Sequence, residues 1–132
     1  MNKLITISCT LVLSGCAVNG NWSSHDTALE ISYQVVNAMD ALSTARIADT
    51  PDWTPVEGTN YIGRIEERAP VTRAVLGPRP SKSDAYVFFA TMGVSHWLIA
   101  RSLPKKWRPW FQGSTTLLAV DAVIGNCDNG LC

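Results

Sequence analysis

The run from Ala85 to Ala100 constrains this chain more than any other segment. Phe88, Phe89, Met92, Val94, Trp97, Leu98 and Ile99 fall on every side of a helical wheel, interrupted only by Thr91, Gly93, Ser95 and His96. A helix that is apolar all round must be buried or in lipid. Ser81-Lys-Ser-Asp84 offers caps before it, and Pro104 stops it. A further helix is expected to start between Pro104 and Pro109, because proline suits a first turn. It runs through Thr115, Leu117, Leu118, Val120, Val123 and Ile124, with Gly125-Asn126 as its stop. These two helices read as an antiparallel hairpin.

An earlier helix is expected over residues 27–48. Thr27-Ala-Leu-Glu30 matches a capping box, and Ile31, Val35, Met39 and Leu42 recur at helical spacing. Asp49-Thr50-Pro51 ends it, since proline disfavours helix before itself. Residues 50–82 form a long connection holding Pro51, Pro55, Pro70, Pro78 and Pro80 with Gly58, Gly63 and Gly77. Short helices are expected within it over Tyr61–Arg68 and Val71–Leu76. The fold class is therefore all-α: a small bundle of about three main helices, with a C-terminal antiparallel helical hairpin and a long Pro/Gly-containing connection.

The N-terminus reads as a targeting segment. Lys3 is followed by apolar Leu4–Leu13, too short for the ~20 residues that span a bilayer. Leu13-Ser14-Gly15-Cys16 then resembles the lipobox of bacterial lipoprotein signal peptides. That resemblance implies cleavage after Gly15 and acylation of Cys16. Residues 1–15 are then a cleaved signal, 16–26 a lipidated polar tether, and 27–132 a single helical domain. Ala17 and Val18 follow the cysteine where an aspartate would retain a lipoprotein in the inner membrane. The resemblance thus points to the outer membrane, with the domain facing the periplasm. Cys127 and Cys132, in Cys-Asp-Asn-Gly-Leu-Cys, either form a disulfide in that oxidising compartment or sit in a frayed tail.

Eleven basic and eleven acidic residues give no bias towards nucleic acid. The hairpin tip is locally different. Arg101, Lys105, Lys106, Trp107, Arg108 and Trp110 combine cations with indoles, which suits a membrane interface or a partner surface. Two arrangements are open: a domain lying against a leaflet, or a spanning hairpin with the N-terminus outside and the basic tip inside. His25 in the tether reads as solvated, as does the Glu66-Glu67-Arg68 patch.

Asp40, His96 and Asp121 are ionisable groups set in apolar helix segments. An unpaired buried charge costs several kcal/mol, so each requires a partner or a shifted pKa. Asp40 could reach His96, and Arg46 could serve Asp121, making a buried polar network that fixes helix register. No nucleophile motif, metal spacing or cofactor motif accompanies them, so no catalytic, metal or cofactor site is assigned.

The chain also resembles a loose group of small bacterial and phage lipoproteins. The matching elements are the lipobox, Asp40-Ala-Leu-Ser43-Thr44, Leu76-Gly-Pro-Arg-Pro-Ser81, His96, Leu103-Pro104 with Arg108, and a closing Asn126. Arg68-Ala-Pro70 stands where such proteins often carry Glu-x-Asn-Pro. The resemblance attaches no activity. The function expected is a non-enzymatic, membrane-anchored lipoprotein, a structural or interaction module of the envelope. Its partners are membrane lipid through Cys16 and another envelope protein. The alternatives are a phage-type envelope modifier that excludes superinfection, and, on weaker grounds, a small hydrolase-like enzyme using Asp40, His96 and Asp121.

Overall fold

A computed structural model describes residues 21–51, 54–55, 62–63 and 65–132. The expected signal segment and Cys16 lie outside the described residues. The chain is all-α, with helices α1 (Ser24–Ile47), α2 (Pro70–Leu76), α3 (Lys82–Ser102) and α4 (Arg108–Asp128). Between α1 and α2, two-residue strands β1 (Thr54–Pro55) and β2 (Ile62–Gly63) pair antiparallel, with Thr54 opposite Gly63.

α1 starts inside the segment expected to be a tether. Its N-cap is Ser23, whose hydroxyl accepts from the Asp26 amide at 3.1 Å while the Asp26 carboxylate accepts from the Ser23 amide at 2.9 Å. This capping box displaces the one expected at Thr27 and Glu30. Asp26 closes it with a side chain one methylene shorter than glutamate, and Glu30 points inward instead. Arg79 secures the other end, donating to the Ile47, Thr50 and Ile65 carbonyls.

α3 keeps its expected start, with Ser81 as N-cap accepting from the Asp84 amide. α4 carries Pro109 in its first turn but runs through Gly125-Asn126 to Asp128. The expected stop fails because Asn126 is buried and bonded to α1, which holds the helix on course. The turn comes at Gly130, whose φ of 75° suits a residue without Cβ. The helix expected over Tyr61–Arg68 is absent where described. Residues 62–63 are in β2, and 65–69 are held extended by the Glu67 amide on the Pro78 carbonyl and by Pro70.

α1 is the central helix. α3 runs antiparallel to it: Gln34 and Asn37 amides donate to the Gly93 and Phe89 carbonyls at 2.9 and 3.0 Å. Gly93 permits this approach, since a Cβ there would stand 2.6 Å from the Gln34 side-chain oxygen. α4 runs parallel to α1, with Gln112 at the level of Asp26 and Asn126 at that of Asp40. The expected α3–α4 hairpin forms, but the two helices touch sparingly because α1 lies between them.

The packing is inverted relative to an ordinary amphipathic bundle. Asp26, Glu30, Asn37, Asp40, Ser43 and Thr44 face inward from α1, whereas Ile31, Val35, Met39 and Leu42 face outward. α3 and α4 likewise expose Val87, Val94, Ile99, Leu117, Leu118 and Ile124. Buried apolar residues are few, and four of them are alanines, Ala41, Ala45, Ala85 and Ala100. Hydrogen bonds, which each contribute about 1 kcal/mol net, therefore carry much of the register. Among the described residues no helix is long and apolar enough to cross a membrane.

Candidate functional site

The inward-facing polar groups form two layers. In the first, Glu30 is the acceptor at the centre. It receives the Gln34 amide at 2.7 Å, the Gln112 amide at 3.0 Å and His96 Nδ1 at 3.0 Å. His96 Nε2 lies 2.7 Å from the Thr115 hydroxyl, which is also 2.7 Å from the Phe111 carbonyl. Tyr33 and Phe111 stack on the imidazole from either side. Burial pushes the His96 pKa down, and it prevails over the upward pull of Glu30. At neutral pH the ring is therefore neutral, donating from Nδ1 to Glu30 and accepting at Nε2.

This Glu–His–hydroxyl line can pass a proton, but it is not arranged for acyl transfer. Thr115 sits mid-helix in α4, where neighbouring amides are occupied by the helix and offer no oxyanion donors. Asp40 and Asp121, the expected companions of His96, do not reach it. Asp121 faces outward, because at its register α4 turns its polar stripe of Arg108, Gln112, Thr115 and Asn126 towards α1 instead.

Asp40 belongs to the second layer. Asn126 donates to its carboxylate at 3.0 Å and to the Ser43 hydroxyl at 2.9 Å. The Thr44 hydroxyl donates to Glu67 at 2.8 Å, and the other Glu67 oxygen accepts the Ala69 amide at 2.8 Å. Glu67 is 0% exposed, so the solvated patch expected around it is corrected: only its neighbours Glu66 and Arg68 reach solvent. Burial, and then the Glu67 charge, push the Asp40 pKa up to about 7 against the Thr44 hydrogen bond. Arg46 is not in the network. It lies at the surface and donates to the Leu131 and Cys132 carbonyls, holding the tail that the Cys127–Cys132 disulfide closes.

The hairpin tip divides into two sets. Arg108, expected at the surface, is 0% exposed. Its Nε donates to the Leu103 carbonyl at 3.0 Å, and its Nη1 lies 3.4 Å from the Asn21 carbonyl and 3.6 Å from the Asp26 carboxylate. Burial alone would raise the Asp26 pKa, but the Ser23 hydrogen bonds and Arg108 outweigh it and hold the carboxyl below its usual range. Arg101 is half-buried between the rings of Trp22 and Trp97. Both arginines thus tie the turn to the start of α1. Lys105, Lys106, Trp107 and Trp110 remain outward, with the two indoles 56% and 75% exposed.

This clasp removes the spanning arrangement. That topology needs the N-terminus and the tip on opposite sides, whereas Trp22 and Asp26 lie against the tip. The sequence reading missed Glu30, Glu67, Gln112, Thr115 and the inward role of Asn126. Their common signal is a polar stripe at helical spacing, Asp26, Glu30, Asn37, Asp40 and Thr44 on α1, opposite the apolar one. Among the described residues no group of three or more His, Cys, Asp or Glu side chains is placed to hold a metal ion. Compared with family models, curated proteins and solved structures, the chain finds no match.

Proposed function

We propose that this chain is a lipoprotein acylated on Cys16, with a non-enzymatic helical domain that works at the periplasmic face of the envelope, on the outer membrane. The domain stands on the leaflet at two points, the acyl chains and the tip of the α3–α4 hairpin. One observation carries this reading: the start of α1 and the exposed Trp107, Trp110, Lys105 and Lys106 share one end of the bundle. Cys16 is five residues from Asn21, a reach of at most ~17 Å. The lipid therefore enters the membrane beside the indoles, which suit the headgroup region, and beside lysines that attract anionic lipid. The apolar outer faces of α1, α3 and α4 then stand away from the leaflet and are available to another envelope protein.

Vesicle flotation tests the two points separately. The acylated protein should float with neutral or anionic vesicles. Cys16→Ala should float only with anionic ones, and should lose that on adding Trp107→Ser and Trp110→Ser or on raising the salt. Undiminished flotation of the triple variant would refute the two-point reading.

A further inference from the structure

Because α1 separates α3 from α4, the bundle keeps an open cleft on one side. Its cavity volume is about 620 Å³, within the ~300–1,000 Å³ of small-molecule sites. Phe88, Phe89 and Met92 of α3 face Leu118 and Ile124 of α4 across it, with Tyr33 of α1 at the base. Ala119, Ala122 and Gly125 keep the α4 wall low, so the space is not filled by the chain itself.

The charges in this cleft are unbalanced. Asp40, Asp121 and Asp128 line it against a single cation, Arg68. Asp121 is the one charge on the outer faces of α3 and α4 between Asp84 and Asp128 outside the tip, and it makes no hydrogen bond or ion pair with any described residue. Asp40 is buried and accepts from Asn126 at the α1–α4 interface, which leaves Asp121 as the carboxylate open to a ligand. A carboxylate at the rim of an apolar wall gives an amine a charge-assisted partner while the attached chain stays on the wall. No three acidic, His or Cys side chains among the described residues converge on a metal position, so a bare cation does not account for the apolar walls.

We propose that this cleft binds a small amphiphile, an apolar chain lying between α3 and α4 with its amine against Asp121. An anionic amphiphile would meet Asp121 and Asp128 with only Arg68 to offset them, and a wholly apolar one would leave Asp121 without a partner. The proposal does not depend on how the domain meets the membrane.

Calorimetry on the full mature chain carrying Cys16→Ala tests it, using octylammonium, octanoate and octanol below their micelle concentrations. Octylammonium should bind at one site per chain, at least tenfold tighter than either comparison molecule. Asp121→Asn, at an exposed position that leaves the fold unaffected, should weaken octylammonium about tenfold and leave octanol unchanged. Ala122→Phe should fill the cleft and abolish binding. Equal affinity for the three molecules, no saturable binding, or octylammonium binding indifferent to Asp121→Asn would each overturn the proposal. That last result decides the matter even where Ala122→Phe fails to fold.

Discussion

Arg108 shows how a single side chain changes meaning between sequence and fold. Placed among lysines and tryptophans, it reads as surface charge, yet it bonds the Leu103 carbonyl and faces Asp26 from a fully buried position. Removing one member of a buried pair leaves the other charge uncompensated, at a cost of about 3–5 kcal/mol. Arg108→Met should therefore lower the unfolding free energy from urea titration by that amount, whereas Lys106→Met should leave it within ~0.5 kcal/mol. Asp40 gives the opposite kind of prediction. Its pKa rises from 3.8 unfolded to about 7 folded. Folding is thus unaffected by this group below pH 3.8 and increasingly penalised as pH climbs through about 7. Asp40→Asn keeps an acceptor for Asn126 and removes the charge facing Glu67. It should stabilise the protein by a few kcal/mol more at pH 8 than at pH 4.5, read from chemical denaturation at both pH values. His96 works in the other sense. Its depressed pKa favours folding above its ordinary 6.5 and loses that contribution as pH falls.

At the scale of elements, each main helix was legible and its orientation was not. Spacing and prolines located α1, α3 and α4 to within a few residues, and the Ser81 cap marked the start of α3, because those signals act locally. Which side of α1 faces inward is not local. It carries an apolar stripe (Ile31, Val35, Met39, Leu42) and a polar one (Asp26, Glu30, Asn37, Asp40, Thr44), both with helical period. Burying the polar stripe succeeds only because Gln112, His96, Asn126 and Glu67 arrive from elsewhere with matching donors and acceptors. Such matching across long sequence separations has no local signature. The same reason hid Asn126, which reads as a helix stop until its Asp40 and Ser43 contacts are seen. The inversion has a measurable consequence. Val35→Ser and Met39→Gln, on the outward stripe, should each change unfolding free energy by less than about 1 kcal/mol. Asn37→Leu, which removes the amide bonded to the Phe89 carbonyl and crowds α3, should cost about 1–3 kcal/mol. Equal or reversed costs in urea titrations would mean that the apolar stripe is the packed one.

For the whole molecule, the decisive property is polarity from end to end. α1 is about 36 Å long by its 24 residues, and its ends differ. One end joins the start of α1 to the Trp107–Trp110 tip through Trp22, Arg101 and Arg108. The other holds the Cys127–Cys132 disulfide and the long connection clamped by Arg79. On the proposed function, a protein built this way presents one end to lipid and carries its apolar sides and its cleft away from the membrane. A photocrosslinking side chain placed at residue 107, and in a separate chain at residue 128, in acylated protein within intact cells, reads this polarity. Lipid adducts should form from position 107 and be lacking from position 128. Lipid adducts from position 128, or from neither position, would contradict the one-ended attachment.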